Sequence, residues 1–439
     1  MSDISSSLSV AQRLIDVLAH LGLPKAHFGL RYPADLVGLL ERAPERVASV
    51  VLQGATGRPE PFAPMAAQTL WVLGDGGPTG QMRARLEAFP NAIVHWITDY
   101  PEFGWSDTAV DHAEEMASTM LRFLQRMDAE GALPAVSMSS AGEVAGVTYA
   151  AAGSGTPVVL LPLGLASRQW EPVLPRLQAH HCTIVLGGKY LQPVSQLEDR
   201  AESGYTSMAL QLLDMAKPHV GEALIEVGCG AGALLQRILR HTGMARVTGL
   251  DINGFLLKEA RALAAQEGLG DRLLFEEGSA VAVPFPDNAF DIVYSCTVME
   301  EVDADRMLAE LVRIAKPGGR VAVGVRAVDR GQWTNLPLPA PLKEKIEGPG
   351  GQMSAQGCAD ASLYRRFHDA GLQAIAGGPA WAWARPDDAW WQHNVEHQIR
   401  TMLTPAEDHA WLRTLQQAQA DGLPVWIARP FHCAVGTKP

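Results

Sequence analysis

Hydrophobic and polar positions near the start of the chain alternate between two periods. Apolar residues recur at helical spacing over Val10–Leu21 and Asp35–Arg42, whereas short β-branched and aliphatic runs lie at Ala26–Leu30, Val47–Gln53 and Thr69–Leu73. The first pattern predicts helices with one apolar face, and the second predicts buried strands. Helices that alternate with such strands are typical of βαβ units.

A second strand-rich patch begins near residue 146. Its pattern predicts strands at Gly146–Ala150, Val158–Leu161 and Thr183–Leu186, with a helix over Trp170–Gln178. Two glycines in Gly153–Gly155 predict a tight turn between the first two of these strands.

From residue 205 onward helices and strands alternate more regularly, which predicts a doubly wound parallel sheet. The predicted strands are Ala223–Val227, Arg246–Leu250, Leu273–Glu276, Asp291–Ser295 and Arg320–Arg326. The predicted helices are Thr206–Ala216, Leu234–Arg240, Phe255–Gln266 and Ala304–Ala315. We therefore expect a smaller α/β domain at 1–195, a polar linker at 196–204 and a second domain at 205–439. The second domain would carry an insertion at 329–351 and a C-terminal extension.

Composition narrows the classes of function. The 439 residues carry 36 Lys and Arg against 48 Asp and Glu, a formal net charge of −12. Such a chain repels a phosphate backbone, so we expect no nucleic-acid partner. No apolar run approaches the ~20 residues of a membrane span, and the polar first residues are unlike a signal peptide. We therefore expect a cytoplasmic protein without a membrane partner.

A glycine-rich loop carries the strongest chemical signal. It reads Glu226-Val-Gly228-Cys-Gly230-Ala-Gly232 and joins a predicted strand to a helix. Glycines there let the chain turn sharply and let a ligand approach the backbone without meeting a Cβ. Asp251 ends the next strand, about twenty residues later, where a carboxylate can accept hydrogen bonds from both hydroxyls of a ribose.

Two alternatives to this interpretation of the loop stay open. A nicotinamide dinucleotide fingerprint runs Gly-x-Gly-x-x-Gly, with its third glycine one position later than Gly232. The Gly-x-Gly-x-Gly spacing and the preceding Glu226 disfavour that cofactor. The other alternative is a tight turn that binds nothing.

Several segments in this order resemble a known family. They are the glycine loop, Gly249-Leu-Asp251-Ile252, Gly278-Ser279-Ala280, Pro284 to Asp291, Cys296 to Val302 and Ile314 to Gly319. Residues 205 to about 330 resemble the class I S-adenosylmethionine-dependent methyltransferases of the small-molecule, ubiquinone-biosynthesis-like type. The resemblance implies a seven-stranded Rossmann-like domain that binds S-adenosyl-L-methionine and passes its methyl group to a small-molecule acceptor.

The resemblance also implies roles for the matching residues. The glycines Gly228, Gly230 and Gly232 would pass against the methionine and ribose parts, Glu226 would reach the methionine amino group, and Asp251 would hold the ribose. The residues implied around the remaining parts are Ile252 on the adenine ring, Ser279 and Ala280 at the adenine edge, and Cys296 near the methionine end.

This chain departs from the family at two positions. Ser279 stands where the family usually has an acidic residue, but a hydroxyl still offers an acceptor to the adenine amino group. Glu301 stands where the family often has histidine, which suggests a carboxylate as the base that faces the substrate.

Three residues are candidates for the acceptor side of the site. Tyr205 precedes the first strand by one helix, in a segment that related enzymes close over the cofactor; its alternative is a half-buried helix anchor. Glu301 follows the fourth strand, and its alternative is a charge favoured by a helix start. Arg326 ends the fifth strand and could bind an acidic group, although a surface ion pair is the plainer alternative. The insertion that contains Trp333 could roof the pocket.

The front of the chain has a second, weaker resemblance. Residues 26–47 are similar to the nucleophile-elbow region of α/β-hydrolases, and Gly153 to Gly164 with Trp170 are similar to the first strands and oxyanion loop of that fold. The two segments occur in the reverse of the hydrolase order, as if the fold were permuted. The elbow needs Gly-x-Ser-x-Gly, but this chain has Gly29-Leu-Arg31-Tyr-Pro33, so the nucleophile is missing. His95, near the expected end of a late strand, lacks a serine partner. We expect a scaffold, a lid or a dimer surface.

Metal chemistry and a cation cage have little support. The five cysteines are scattered without a Cys-x-x-Cys pair, and His393 and His397 lack a third ligand, so we expect no metal. Six tryptophans in the last third of the chain suggest either a cage for a cationic substrate or, more simply, core and interface residues.

The sequence therefore predicts a methyltransferase that uses S-adenosylmethionine, with a homodimer left open. Its acceptor could be an O, N, S or C atom. The alternative from a different class is a scaffold or regulatory partner that binds the cofactor but no longer transfers methyl groups.

Overall fold

The computed structural model describes residues 9–56, 59–80, 82–87, 89, 91–102, 107–131, 133–164, 167–188, 191, 204–351, 354–386, 388, 391 and 395–439. The chain divides into two compact units, Met1–Ser195 and Gln196–Pro439, called here the first and second units. Of the predicted linker at 196–204, all but Gly204 lies outside the described residues.

The first unit is built on one seven-stranded sheet. Its strands are β1 (Ala26–Leu30), β2 (Val47–Gln53), β3 (Thr69–Gly76), β4 (Ile93–Pro101), β5 (Val136–Val144), β6 (Val147–Leu160) and β7 (His181–Gly187). Its described helices are α1 (Val10–His20), α2 (Pro33–Arg42), α3 (Gly77–Gly80), α4 (Met82–Glu87), α5 (Thr108–Asp111), α6 (Ala113–Glu130) and α7 (Leu174–Gln178).

β1 lies in the middle of this sheet. The order β4-β3-β2-β1-β6 is parallel throughout, and β5 and β7 pair antiparallel with β6. All five residues of β1 are buried, as a parallel strand covered on both faces requires. β1 and β2 begin and end where the hydrophobic pattern predicts.

The turn predicted at Gly153–Gly155 is wrong, because these residues lie inside the long strand β6. Gly153 and Gly155 adopt φ of 97° and 135°, and the register of β6 against β7 shifts after Gly153. A Cβ on either glycine would collide with the backbone of His180 or His181. The glycines therefore bend a strand against its neighbour, a use of glycine that composition alone does not separate from a turn.

A polar cluster is buried near the starts of β1, β2 and β7. The His27 ring lies 2.7 Å from the Ser49 hydroxyl and 3.2 Å from an Asp128 oxygen. Thr156 donates to the other Asp128 oxygen at 2.9 Å and lies 2.9 Å from Nδ1 of His181. Burial lowers the pKa of both histidines, although the Asp128 charge opposes the shift. Since Ser49 is fully buried, we interpret this serine, histidine and aspartate as structural.

The second unit holds an eight-stranded sheet. Its strands are β8 (Leu224–Val227), β9 (Val247–Asp251), β10 (Leu273–Glu277), β11 (Phe290–Cys296), β12 (Ala315–Arg326), β13 (Trp333–Thr334), β14 (Gln373–Ala384) and β15 (Ile427–Thr437). Its described helices are α8 (Gly204–Met215), α9 (Ala233–Thr242), α10 (Gly254–Gln266), α11 (Ala304–Ile314), α12 (Ala340–Ile346), α13 (Ser362–Asp369), α14 (Glu396–Met402) and α15 (Pro405–Ala420).

The parallel part of this sheet has the order β10-β9-β8-β11-β12. The direction in which strands are added reverses between β8 and β11, and ligands of such sheets bind outside the carboxyl ends at that switch point. β15 runs antiparallel between β12 and β14. The described sheet has eight strands rather than the expected seven, because β13 continues the line of β12 along β15.

The insertion and the C-terminal extension build a small core of their own. Leu336 and Leu342 of the insertion share an apolar cluster with residues of α14 and α15. Trp391 and Trp411 are fully buried in it, with rings stacked 6.3 Å apart. The prediction of tryptophans as core residues holds for these two.

Three further properties bear on function. Within the described ranges, no helix is long and apolar enough to cross a membrane. The part of the chain that the structure describes contains no group of three His, Cys, Asp or Glu that could hold a metal ion. All five cysteines are buried free thiols.

Candidate functional site

The predicted cofactor-binding residues meet at one edge of the second unit's sheet. Glu226 lies near the end of β8, Asp251 ends β9 and Cys296 ends β11. Because the carboxyl ends of neighbouring parallel strands share an edge, the glycine loop after β8 is surrounded by these residues. The amides of Gly228 and Cys229 both donate to Leu250 O, at 2.7 and 3.0 Å, which ties the loop to β9.

The three loop glycines are required by the backbone. Gly228, Gly230 and Gly232 have φ of 82°, 54° and 77°, in the left-handed region that disfavours other residues. A Cβ on Gly228 would run into the side chain of Val298, and one on Gly232 would lie 3.1 Å from the Phe275 ring. The loop therefore passes close to its neighbours at Gly228, where a Cβ would collide, and at Gly232, where it would be tight.

Asp251 is fixed by the backbone around it. Its two oxygens accept hydrogen bonds from the amides of Gly230 at 2.8 Å and Asn253 at 2.9 Å. Burial raises the pKa of Asp251, and these donors oppose the shift. The Ile252 amide is a third backbone donor to this carboxylate. Because a carboxylate offers about four lone-pair sites, Asp251 can still accept a further hydrogen bond from a ribose hydroxyl.

Negative charge concentrates beside the loop. Burial raises the pKa of the Cys229 thiol well above its usual range, and the charges of Asp251 and Glu226 add to the shift. Glu226 itself is almost entirely buried. Two carboxylates at a glycine-lined edge favour a ligand with cationic centres, and S-adenosylmethionine has two, its sulfonium and its ammonium groups.

The predicted adenine end is open to solvent. Ile252, directly after Asp251, exposes 71% of its surface, so its apolar side chain is free to pack on an adenine ring. The Ser279 hydroxyl accepts a hydrogen bond from the Val281 amide at 3.3 Å and keeps a further lone pair for an adenine amino group. Ala280 packs at the edge of the core behind it.

Cys296, Thr297 and Tyr205 form the other end of the site. Cys296 is buried, and the next residue, Thr297, has a φ of 60°. Its amide donates to Gly324 O at 2.8 Å and its hydroxyl donates to Cys296 O at 2.7 Å, which hold this conformation. The Tyr205 hydroxyl lies 3.4 Å from Thr297 Oγ1, and its ring contacts Phe431 edge-on. A β-branched residue in the left-handed region is unusual and marks a strained position.

Arg326 pairs with two carboxylates of its own chain. Its Nη1 lies 3.0 Å from Glu300 Oε1 and 3.9 Å from Glu301 Oε1. Glu300 is completely buried, whereas Glu301 is partly exposed. Burial lowers the pKa of Arg326, but the charges of Glu300 and Glu301 outweigh this effect and raise it. The predicted candidates Glu301 and Arg326 therefore act on each other.

Sequence reasoning missed several residues of this edge. Asn253 caps α10, with its side chain accepting from two amides, and an Asn before an apolar run signals such a cap. Val298 and Phe275, which press on the glycines, carry no local signal. Thr297 and Glu300 stand out only through backbone conformation and burial.

The elbow-like segment of the first unit ends in a buried ion pair. Arg31 follows β1, and its Nη1 lies 3.7 Å from Oε1 of the fully buried Glu102. Glu102 also accepts hydrogen bonds from Gln53, Thr108 and the Gly74 amide, at 2.5, 2.6 and 3.0 Å. Arg31, at the position where the predicted elbow lacks its serine, is therefore one partner of a buried ion pair.

Two other predicted residues lie elsewhere. His95 is the third residue of β4, not near its end, and lies 2.8 Å from Glu115. His393 lies outside the described residues, as does the side chain of His397.

Comparison with known proteins identifies part of the second unit. Residues 225–323 match the sequence model of the methyltransferase domain family. This segment is a methyltransferase domain. The curated proteins to which the chain is similar include a sterol 24-C-methyltransferase from Gibberella zeae and a ubiquinone/menaquinone biosynthesis C-methyltransferase from Roseobacter denitrificans. The first is 40% identical over 100 residues, which are 23% of this chain and 26% of that protein. The second is 32% identical over 133 residues, which are 30% and 50%.

Among solved structures, a geranyl diphosphate C-methyltransferase from Streptomyces coelicolor A3(2) aligns with 16% identity and a TM-score of 0.32, over 53% of this chain and 79% of that one. This chain spans about half, or less, of the length of the curated relatives it matches. S-adenosylmethionine is the cofactor of the methyltransferase domain, and the residues at the glycine loop fit it.

Proposed function

We propose that this chain transfers the methyl group of S-adenosylmethionine to a small-molecule acceptor. The observation that carries the proposal is the glycine loop, whose left-handed glycines leave hydrogen where a side chain would stand. Next to it, backbone amides hold Asp251 in place and leave it able to accept a further hydrogen bond. The carboxylates of Glu226 and Asp251 make this edge negative, which favours a cofactor with cationic centres over a dinucleotide, whose diphosphate is negatively charged.

In this proposal the bound cofactor supplies an activated methyl group on its sulfonium. Asp251 holds the ribose hydroxyls, Glu226 attracts the ammonium group, and Ile252 covers the adenine. Tyr205 and Thr297, at the Cys296 end of the site, would lie beside the methyl group and would restrict the direction from which an acceptor approaches. Alignment of the acceptor behind the methyl supplies much of the rate.

An acceptor that must lose a proton needs a base. Glu301 is the proposed group, since it is the partly exposed carboxylate of the pair beside Arg326. Arg326 would then hold Glu301 in place rather than bind an acidic substrate. The acceptor would gain the methyl, and its proton would pass to Glu301 and on to water.

The same ion pairs support the second candidate, a cofactor-binding scaffold without turnover. Arg326 lies 3.0 Å from Glu300, and this pairing ties both groups to the fold. A chain that kept the cofactor site but lost its acceptor site could have the same pairing of Arg326 with Glu300.

For the first unit we propose a permuted α/β-hydrolase-like scaffold without hydrolase activity. An elbow and an oxyanion loop must be adjacent, and β1, which precedes the elbow-like turn, is the parallel neighbour of β6, which precedes the oxyanion-like segment. The Arg31–Glu102 pair argues against acyl transfer. Hydrolysis of generic acyl esters by the purified chain would contradict this proposal.

Titration calorimetry with S-adenosylhomocysteine tests the methyltransferase proposal. Asp251→Ala should weaken binding at least roughly 100-fold, since it removes two hydrogen bonds to a charged acceptor. Asp271→Ala, at an exposed aspartate, is the matched control and should leave affinity unchanged. Absence of binding to the wild-type chain would overturn the proposal. Binding without transfer of a labelled methyl group to a broad acceptor panel would favour the scaffold.

A further inference from the structure

Three tryptophans of the second unit are unusually exposed. Trp333 and Trp381 each expose 48% of their surface and Trp383 exposes 37%, whereas Ala382 and Ala384, which alternate with them, expose 1%. Large apolar side chains grouped on a surface indicate a binding site rather than a core. The small alanines face the interior while the large rings face outward, the reverse of what packing alone would select.

Strand register places these tryptophans on one face. Trp333 of β13 and Trp383 of β14 are both partners of Ala428, and Trp381 is the partner of Pro430. Side chains of directly paired residues, and of residues two apart, lie on the same face of a sheet. Trp426, two residues before Ala428, shares this face, and its ring lies 5.1 Å from that of Trp383. We call this surface the tryptophan face: Trp333, Trp381, Trp383 and Trp426 around Ala428 and Pro430.

The tryptophan face is wide enough for a ring system. Trp333 and Trp383 stand on opposite sides of β15, two strand spacings apart, which is about 10 Å. Ala428 lies between them, and its small side chain forms the floor of a depression between the two indoles. A flat ring laid on this floor would contact indoles on both sides, and such aromatic pairs are favourable beyond the burial of apolar area.

The face adjoins the acceptor end of the cofactor site. A Cβ on Gly204 would lie 2.5 Å from the Trp383 ring, so the start of α8 passes directly over that indole. The next residue, Tyr205, reaches to 3.4 Å from Thr297 Oγ1 beside Cys296. Two consecutive residues of α8 therefore contact a ring of the tryptophan face and the Cys296 end of the cofactor site.

Among the residues that the structure describes, those that define the tryptophan face have no charged side chain. Arg385 at its border lies 5.7 Å from the Trp426 ring and pairs with Asp388, with 3.6 Å between Nη2 and Oδ1. The Asp388 carboxylate also accepts the Arg385 amide at 2.7 Å. Since the charges of Arg385 and Asp388 balance, they do not favour the binding of an ionic ligand over that of a neutral apolar one.

We propose that the tryptophan face binds the methyl acceptor and that the acceptor is a neutral, flat, largely apolar ring compound. This inference rests on the proposed methyl transfer and names its substrate class. The tryptophans hold the ring system, and Tyr205 and Thr297 border the atom that receives the methyl. An aromatic cage for a cation, the other use of grouped tryptophans, is disfavoured because the neighbouring charges balance.

Binding of Nile red, a neutral polycyclic dye, to the full chain saturated with S-adenosylhomocysteine tests the inference. The variant Trp333→Ala/Trp381→Ala should bind the dye at least about tenfold more weakly, as each lost ring contact approaches one factor of ten. Trp96→Ala, at a part-exposed tryptophan of the first unit, is the control and should leave dye affinity unchanged. Calorimetry with S-adenosylhomocysteine should give the wild-type affinity for both variants, which shows that the cofactor site is intact.

Three results would overturn the inference while the methyltransferase proposal stands. In the first, the chain binds S-adenosylhomocysteine but the dye affinity is the same in all variants. In the second, tetramethylammonium competes with the dye at the tryptophan face, which would make it a cation cage. In the third, sedimentation with phosphatidylcholine vesicles depends on Trp333 and Trp381 while monomeric dye does not bind, which would make the face a lipid-surface contact. Loss of cofactor binding in the wild-type chain would instead refute the proposed function itself.

Discussion

Gly228→Ala tests the glycine loop where it is most confined. Gly228 has a φ of 82°, and an added Cβ would collide with Cγ2 of Val298 and lie 3.2 Å from its Cβ. An alanine in the left-handed region costs roughly 1–2 kcal/mol. Displacing a packed side chain costs about 1–3 kcal/mol more. We therefore expect a total loss of about 2–5 kcal/mol, divided between the free energy of unfolding and the binding of S-adenosylhomocysteine.

Two further variants separate the two costs. Gly243 has a φ of 66° with nothing within 4 Å of an added Cβ, so Gly243→Ala carries the backbone strain alone. Val298→Ala in the Gly228→Ala background removes the collision but not the strain. Urea denaturation measures the free energy of unfolding, and calorimetry measures the affinity. The reasoning is refuted if Gly228→Ala costs no more than Gly243→Ala, or if the double variant recovers neither stability nor affinity.

Two predictions concern the first unit. Because burial lowers the pKa of His27 and His181 in the folded state, the unfolded chain binds more protons below the ordinary histidine pKa of about 6.5. The free energy of unfolding should be constant above that pH and decrease below it, by up to about 1.4 kcal/mol per pH unit for each histidine. Urea denaturation measured from pH 8 to pH 5 should show a weaker pH dependence of this free energy for His27→Gln/His181→Gln than for the wild-type chain. An equal pH dependence would contradict this prediction. Arg31→Met should destabilise the chain by about 3–5 kcal/mol in the same assay, because it leaves Glu102 charged and buried without its cation. Adding Glu102→Gln should restore part of the loss, and no recovery would show that the pairing is not what stabilises the site.

The sequence predicts well where local pattern decides the structure. β1 and β2 have the predicted bounds, because a run of apolar residues between turn residues has few alternatives. The glycine loop and Asp251 lie at one sheet edge, as expected, since the carboxyl ends of adjacent parallel strands share an edge, and their binding of the cofactor stays a prediction. These features depend on a few consecutive residues each.

Features that depend on distant pairing were not predictable. The tryptophan face exists because residues 333, 383 and 428 come into register across three strands, and no local pattern reveals that register. The pairing of Arg326 with Glu300 likewise depends on how β12 lies beside β11. Gly153 and Gly155 were misinterpreted because a glycine that bends a strand has the same local signature as one in a turn.

The position of β15 has a consequence for how the second unit folds. Arg320 of β12 pairs with Thr437 of β15, more than a hundred residues later. The chain loses loop-closure entropy before the favourable free energy of this strand pairing is gained, and such non-local contacts slow folding. Until β15 arrives, β12 and β14 present open edges that can pair with other chains. The edges of β12 and β14 are therefore an aggregation hazard until β15 pairs with both strands, and β15 also supplies the floor of the tryptophan face.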